Sequence, residues 1–574
     1  MAKKIPYGIS DFIKMVTRNY YYVDKTMYIP QLEDIADYIF FIRPRRFGKS
    51  LWLNMLTTYY DCLFKGRFDE LFGNLWIGKN PTEEHNTYQV LTLDFSQVGG
   101  KSNNLEENFN SYACFCLDNF MNRYGNAYPT NTTQKFYAAD KAGDKLIILN
   151  LAAKGLGIKL YLIIDEYDNF TNTVLNEEGE AVYHAITHAS GFYRDIFKKF
   201  KGMFDKIIMT GVSPVTLDDL TSGYNIGWNL STDHNFNQML GFSEEEVERM
   251  FTYYKGEGRL PADIDIKATI DSIKPWYDDY CFSVRAYESQ SRVFNSDMVL
   301  FYLNHYINHG CPPSNLLDRN AGTDYDKIRR LIQLDQLDGD RRGLLHKIAE
   351  EETITQSVEE SFPADQLTNP DIFPSLLFYY GMLTVKGHEG STPILGIPNN
   401  NARKLYYNAI RLFFQQESGI RLGDLERKMA GLALRGEWRE CLQYIADAYK
   451  NVSSVRDSIE SERNIQGFFM AYLDLNKYYI TAPELELNHG FCDFFLLPDP
   501  NNPEDKATHS YILELKVLHK KDDADKAKEQ WAEAVQQING YATAPRVEAL
   551  RRDTVLHKII LQFEGGELLR MEEV

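Results

Sequence analysis

The stretch Tyr38-Ile-Phe-Phe-Ile-Arg-Pro-Arg-Arg-Phe-Gly-Lys-Ser-Leu51 decides the fold of the N-terminal region. Its apolar run, Tyr38 to Ile42, predicts a buried strand. A sharp turn and Gly48-Lys49-Ser50 follow, and from Leu51 to Tyr60 the apolar residues fall at helical spacing. Strand, turn, Gly-Lys-Ser and helix are the layout of a phosphate-binding P-loop. Backbone N–H groups at a helix N-terminus attract phosphate oxygens. In such a loop Lys49 reaches the β- and γ-phosphates of ATP, and Ser50 holds Mg²⁺. The expected nucleotide contacts are therefore Arg43, Pro44, Arg45, Arg46, Phe47, Gly48, Lys49, Ser50 and Leu51. The usual pattern, G-x-x-x-x-G-K-[ST], has a glycine where Arg43 stands. That glycine lets the backbone turn tightly, sometimes at positive φ, which is uncommon for Arg. The loop is thus expected to be built differently, with Pro44 fixing φ. Arg43, Arg45 and Arg46 are expected to add positive charge beside the phosphates.

A second motif supports the first. Ile158-Lys-Leu-Tyr-Leu-Ile-Ile-Asp-Glu-Tyr-Asp168 is an apolar strand ending in Asp165 and Glu166. This is the Walker B arrangement, with Asp165 for the Mg²⁺ shell and Glu166 placed to orient water. Carboxylates at the end of a buried parallel strand face the crevice where α/β sheets bind ligands. A core strand ending in a solvated turn is the bland alternative. A third strand, Lys206-Ile-Ile-Met-Thr-Gly-Val-Ser213, ends in hydroxyls, and Thr210 or Ser213 would sense the γ-phosphate. A fourth, Val90-Leu-Thr-Leu-Asp-Phe-Ser96, carries Asp94 without an assigned role.

These segments, with Ile5-Pro-Tyr-Gly-Ile, Tyr22-Val-Asp-Lys-Thr26, Thr210-Gly-Val-Ser213 and Trp276-Tyr-Asp-Asp-Tyr280, resemble the bacterial AAA-ATPase-like family. The resemblance covers roughly the first half of the chain. It implies that Arg43 in place of glycine is a family feature. It also implies a C-terminal part similar to PD-(D/E)XK nucleases.

The C-terminal residues carry such a pattern. Gly490-Phe-Cys-Asp-Phe-Phe-Leu-Leu497 reads as a strand containing Asp493. A polar loop from Pro498 to Ser510 leads to Tyr511-Ile-Leu-Glu-Leu-Lys-Val517. Period-2 geometry puts Glu514 and Lys516 on one face, and a hairpin would bring Asp493 to it. Two carboxylates can then hold Mg²⁺ through oxygen ligands. Lys516 would position the attacking water or neutralise developing charge. A half-buried strand with an ion pair is the alternative. The Asp…Glu-x-Lys order resembles the PD-(D/E)XK fold, which implies catalytic roles for Asp493, Glu514 and Lys516. Glu462, on the predicted helix Ser461 to Met470, matches that fold's upstream metal carboxylate, with Glu486 a rival. Where the family often has Arg, this chain has Cys492, which puts a DNA contact near Asp493 in doubt. Gln537 and Tyr541 lie one turn apart on a predicted helix from Ala524 to Tyr541, where the family carries a helical Gln.

Composition mostly excludes. The 574 residues suit several domains, and 44% hydrophobic content supports sizeable cores. No apolar run reaches ~18 residues, and the start, Met-Ala-Lys-Lys-Ile-Pro-Tyr, has no apolar signal region. Seven scattered Cys argue against a disulfide framework, so a reducing cytoplasm and no membrane are expected. A net charge of −19 speaks against a protein that coats nucleic acid, though not against a local basic groove. The expected fold class is α/β: a P-loop NTPase parallel sheet over 1–241, a mostly helical lid or winged-helix-like region over 242–396, a helical connector over 397–460, and an α/β restriction-endonuclease-like domain over 461–574. A basic residue completing the ATP site is expected from the middle region, with Arg285 and Arg292 as candidates, or from a neighbouring subunit of a homo-oligomer. The carboxylates of Trp276 to Tyr280 are expected in a surface loop. The basic stretch Arg421 to Arg439 is expected to pack amphipathically in preference to lining DNA. The function expected is an ATPase whose nucleotide state regulates a Mg²⁺-dependent DNA endonuclease. The alternative is a nucleotide-driven switch or assembly protein whose nuclease-like domain binds without cutting.

Overall fold

Tyr38–Ile42 form strand β1 in a computed structural model of the chain. The structure describes residues 2–98, 104–169, 191–214, 227–313, 316, 344–345, 347–348, 351–363, 366, 369, 371–406, 418–453, 462–476, 478–487, 490–498, 506–518 and 524–574. The chain divides into two units. One holds Met1–Cys311 and Thr353–Asn399, and the other holds Arg342–Glu352 and Asn400–Val574.

In the first unit β1 joins β2 (Tyr88–Asp94), β3 (Lys159–Asp165), β4 (Lys206–Gly211) and β5 (Trp228–Asn229) in a parallel sheet ordered β2-β3-β4-β1-β5. Strands of a parallel sheet covered on both faces are apolar throughout, which is why they read as runs and not as alternations. All six residues of β4 are buried, and Ile39 pairs with Ile208 while Leu162 pairs with Ile207. Helices α1 (Lys49–Tyr60), α2 (Leu105–Tyr124), α3 (Ala142–Leu156) and α4 (Phe192–Phe200) accompany the sheet. This order sets β4 between the loop strand β1 and the acidic strand β3. The site therefore forms where three parallel strands end together.

The turn after β1 is built around Arg43. Its side chain is 1% exposed. Nη1 donates to Ile42 O (2.9 Å) and Ser231 O (2.5 Å), and Nη2 donates to Phe236 O (3.2 Å). The guanidinium lies 4.2 Å from the ring centres of both Phe41 and Phe282. Burial lowers its pKa to about 9, which leaves it charged at neutral pH. The expectation that Arg43 adds charge beside the phosphates is thus corrected. Its charge is turned inward, because only the interior offers it three carbonyls and two ring faces. Positive φ occurs further on, at Arg46 (+67°) and Gly48 (+96°).

The middle region contains α5 (Glu244–Gly256), α6 (Ile266–Tyr277) and α7 (Ser296–His309). Ser243 and Glu246 form a capping box on α5. The region also carries an antiparallel sheet, β6 (Thr353–Thr355), β7 (Thr384–Glu389) and β8 (Thr392–Gly396), which helical periodicity did not predict. Trp276, Tyr277 and Tyr280 are buried. Asp279, at φ +76°, pairs with Arg292 at 3.0 Å and with Lys386. Burial raises Asp278 to about pKa 6. Asp278 and Asp279 thus lie in a half-buried loop, and Asp279 is tied into ion pairs there.

The second unit is built on a mixed sheet of β9 (Tyr479–Leu487), β10 (Gly490–Pro498), β11 (His509–Leu518), β12 (Val555–Glu564) and β13 (Glu567–Glu573), in the order β13-β12-β11-β10-β9. Strands β11 and β12 run parallel, and the other pairs are antiparallel. The sheet alternates as a doubly covered sheet should. Leu513, Leu515 and Leu561 pack with α8 (Leu422–Arg435), α9 (Trp438–Ser453) and α10 (Glu462–Leu473), whereas Ile512 and Ile560 pack with α11 (Ala524–Ala542) through Trp531, Ala534 and Ile538. The basic stretch Arg421 to Arg439 buries Leu425, Met429 and Leu432 in this core. Among the described residues the seven cysteines form no disulfide.

Replacing Arg43 with Ala strands three carbonyls and empties a ring-lined space. Arg43→Ala should lower unfolding stability by about 3 kcal/mol or more, read from urea denaturation of the full chain. A change under about 1 kcal/mol would contradict the buried role.

Candidate functional site

The first site is assembled around Asp165, at the end of β3. Ser50, in the first turn of α1, donates from Oγ to Asp165 Oδ2 at 2.5 Å. Thr210, near the end of β4, donates from Oγ1 to Asp165 Oδ1 at 2.8 Å, and Glu166 N donates to the same oxygen at 2.9 Å. Thr210 therefore acts on the carboxylate beside it. Lys49 Nζ donates to Arg43 O (2.9 Å) and Pro44 O (3.0 Å), inside its own loop. Burial lowers the Lys49 pKa, opposed by the charges of Asp165, Glu166 and Asp168. Glu166 sits at φ +47°. Burial raises its pKa, opposed first by Arg45.

Residues Arg45 to Trp52 and Glu166 line a cavity of about 410 Å³. Arg43 and Pro44 do not line it; they contribute carbonyls beneath it, and this refines the expected contact set. The lining also includes the apolar Ile9, Leu240, Phe242 and Leu300 and the ring of Tyr22. Neither Arg285 nor Arg292 lines the cavity. Arg292 is held by Asp279 and Tyr287, and Arg285 is exposed. Among the cations that line it, Arg46 pairs with Asp297 at 2.7 Å.

Two residues here were not legible as site residues. Asp168 is 2% exposed and accepts from Val212 N and Ser213 N, the latter at 2.9 Å. It fastens the β3 loop to the end of β4. Gly211 is required for this, since a Cβ there would stand 2.4 Å from Asp168 Oδ1. Ser213 itself is fully buried in this clamp. The other is Asp297, whose partner lies 251 positions away.

The second site lies where β10 and β11 separate. Their ladder ends at Phe494↔Leu513, one position before Asp493 and Glu514. Asp493 Oδ2 accepts from Leu515 N at 2.6 Å, which brings it to the expected strand. Lys516 Nζ donates to Glu514 Oε1 at 2.8 Å, so the two share a face. Glu514 is 3% exposed, and among the described residues its Oε2 has no hydrogen-bond partner. Burial, and then the charge of Glu514, raises the Asp493 carboxyl well above the ordinary range. Burial also raises Glu514, with Lys516 opposing. For Lys516 burial works against the charge, but Glu514 outweighs it and the pKa rises.

Glu462 lies within electrostatic reach of Asp493 and Glu514, and burial raises its pKa. Yet among the described residues no three His, Cys, Asp or Glu side chains are grouped to hold a metal ion. Glu462 shares the charge environment of Asp493 and Glu514. Gln466, one turn further along α10, reaches Asp493 Oδ1 at 3.4 Å. The i,i+4 spacing from Glu462 was the signal for Gln466. Glu486 pairs through its backbone with Phe491, and its side chain lies outside the described residues, as do residues 499–505 of the expected loop. Cys492 is fully buried in the α11 core, where an Arg would have no acceptor-rich surface. Gln537 is exposed on α11, whereas Tyr541 is buried and close enough to Glu514 to feel its charge.

Both oxygen sets suit a hard divalent cation. Ser50 Oγ and Asp165 Oδ2 already lie together. The unsatisfied Glu514 Oε2 beside a strongly raised Asp493 is a pair of acceptors short of positive charge.

Comparison with known proteins agrees with this geometry. Residues 6–221 match the family described as Predicted AAA-ATPase (AAA-ATPase-like), and residues 460–573 match the PD-(D/E)XK nuclease superfamily. The chain therefore joins an AAA-ATPase-like domain to a PD-(D/E)XK nuclease superfamily domain. It is also similar to the "Uncharacterized protein in vnfD 5'region" of Azotobacter chroococcum mcd 1, at 26% identity over 292 residues, which is 48% of each chain. The chain thus spans about half the length of that curated relative. Among the described residues no helix is long and apolar enough to cross a membrane.

The raised carboxylates give a pH signature. A carboxyl with a raised folded pKa favours the folded state when protonated, so its contribution is lost as pH rises through the folded value. Mg²⁺ needs the ionised form. Added Mg²⁺ should therefore raise the unfolding midpoint more at about pH 8 than at about pH 5, and Asp493→Asn should shrink that difference in calorimetry. An Mg²⁺ effect independent of both pH and Asp493 would contradict this ligand assignment.

Proposed function

We propose that the chain binds and hydrolyses ATP on the loop after β1, at the cavity-lining residues 45–51, and that nucleotide state regulates a Mg²⁺-dependent DNA endonuclease-like site at Asp493, Glu514 and Lys516. The observation that carries the nucleotide reading is the Ser50 Oγ to Asp165 Oδ2 contact of 2.5 Å beside a cavity lined by Lys49 and Glu166. The cavity's polar lining suits phosphates and its apolar lining suits a nucleobase. Lys49 would exchange two loop carbonyls for phosphate oxygens. Thr210 orients Asp165, and Glu166, with its pKa raised by burial, would hold the attacking water.

In the second unit Asp493 and Glu514 would hold the metal, and Lys516 would sit beside the phosphate to be cut, its charge maintained by Glu514. Mg²⁺ at either site would polarise phosphate oxygens and, at the second, acidify water. Gln466 steadies Asp493.

A second reading keeps the nucleotide switch but gives the nuclease-like domain binding without cutting. The lack, among the described residues, of three side chains grouped to hold a metal and the buried Cys492 favour it.

The test is Mg²⁺-dependent cleavage of plasmid and single-stranded DNA, with and without ATP, by wild type and Lys516→Ala. Cleavage by wild type alone, changed by ATP, supports the proposal; no cleavage alongside ATP-dependent assembly supports the second reading. Lys49→Ala should abolish ATP turnover, and Glu166→Gln should slow it about 100-fold or more with binding retained. Normal turnover by Glu166→Gln would remove the water-orienting role.

A further inference from the structure

We propose that Asp297 is a positioning residue for the phosphate loop, acting through Arg46. The inference rests on the reading of residues 43–51 as a nucleotide loop. Arg46 adopts φ +67°, a left-handed conformation that a residue with a Cβ disfavours. Two positions on, Gly48 makes the loop's other left-handed turn, at φ +96°, without a side chain to object. The loop thus makes two such turns, one at glycine and one at arginine, and the arginine turn needs support from outside.

That support comes from the first turn of α7. Asp297 Oδ2 accepts from Arg46 Nη1 at 2.7 Å. Asp297 N donates to Arg46 O at 3.3 Å, and Ser296 Oγ donates to the same carbonyl at 3.1 Å. Asn295 Oδ1 caps α7 by accepting from Met298 N, so the turn is itself fixed. The two side chains of the ion pair are only 23% and 18% exposed, which shelters it from solvent screening. One residue further, Phe47 is buried against Tyr280 and Phe282, and its carbonyl accepts from Gly241 N at 3.2 Å. Arg46 and Phe47 are therefore held from the middle region, while Ser50 is held from the sheet.

The charge arrangement says how Asp297 acts. Asp297 lines the cavity, where a lone carboxylate would repel phosphate. Paired with Arg46, it presents no net charge. Its contribution is thus the shape of the loop, not a charge offered to the γ-phosphate. Loop shape matters equally to ADP and ATP, since both carry the phosphates that a P-loop cradles. A γ-phosphate ligand would matter to ATP alone.

The test is the Kd of the full chain for ADP and for ATP, by titration calorimetry. Asp297→Ala should weaken both by the same factor, about tenfold. Arg46→Ala should do likewise, while Arg46→Gly should lose less than Arg46→Ala, because glycine makes the turn unaided. In the Arg46→Gly background, Asp297→Ala should add no further loss. An Asp297→Ala loss confined to ATP, unchanged or tighter binding, or a loss of the same size in the Arg46→Gly background as in wild type would overturn the inference. Wild type that binds neither nucleotide would instead overturn the loop reading, and this inference with it. Lys49→Ala separates the two cases, since it removes binding only if the loop is the site.

Discussion

A guanidinium with 1% exposure must be given acceptors inside the protein, and the first unit is arranged to give Arg43 three of them. Burying a charge without partners costs several kcal/mol. The carbonyls of Ser231 and Phe236 and the ring of Phe282 are thereby tied to the end of β1. With its side chain drawn inward, the Arg43 carbonyl is left to face Lys49. The end of β1, the path of the loop and part of the middle region thus meet at one side chain.

The two sites solve a similar electrostatic problem in opposite ways. Asp165 is surrounded by donors: a serine, a threonine and a backbone N–H all reach it. Asp493 and Glu514 instead crowd two carboxyls together, and one Glu514 oxygen is left with no partner among the described residues. The first carboxylate is held in one orientation before any cation arrives. The second pair stores unfavourable proximity that a cation would relieve.

The strands were legible because each is short, apolar and bounded by turn residues. Tyr38–Ile42 was read to the residue, and the strands ending at Asp165 and around Asp493 and Glu514 to within a few. Lys516 beside Glu514 followed from period 2 alone. What was missed lies in contacts between residues far apart in the chain. Nothing local marks Asp297 as the partner of Arg46, or Asp168 as the acceptor for Val212 and Ser213. The ion pairs of the loop acid Asp279 were not legible because its cations, Arg292 and Lys386, come from other elements. Arg43 misled in a different way: composition near a phosphate loop suggests where charge belongs, but a side chain's direction depends on acceptors that only the fold brings close.

The similarity to the AAA-ATPase-like family stops at residue 221, yet the groups that complete the loop come later: Ser231, Phe236, Phe282, Ser296 and Asp297. A polypeptide ending at the family boundary would keep every motif residue while leaving Arg43 buried without two of its carbonyls and Arg46 twisted without its brace. The smallest autonomous piece of this AAA-ATPase-like domain is therefore larger than its recognisable sequence. Partial gene duplications or fusions that carried only the motif-bearing segment would inherit the signature without the contacts that shape the loop.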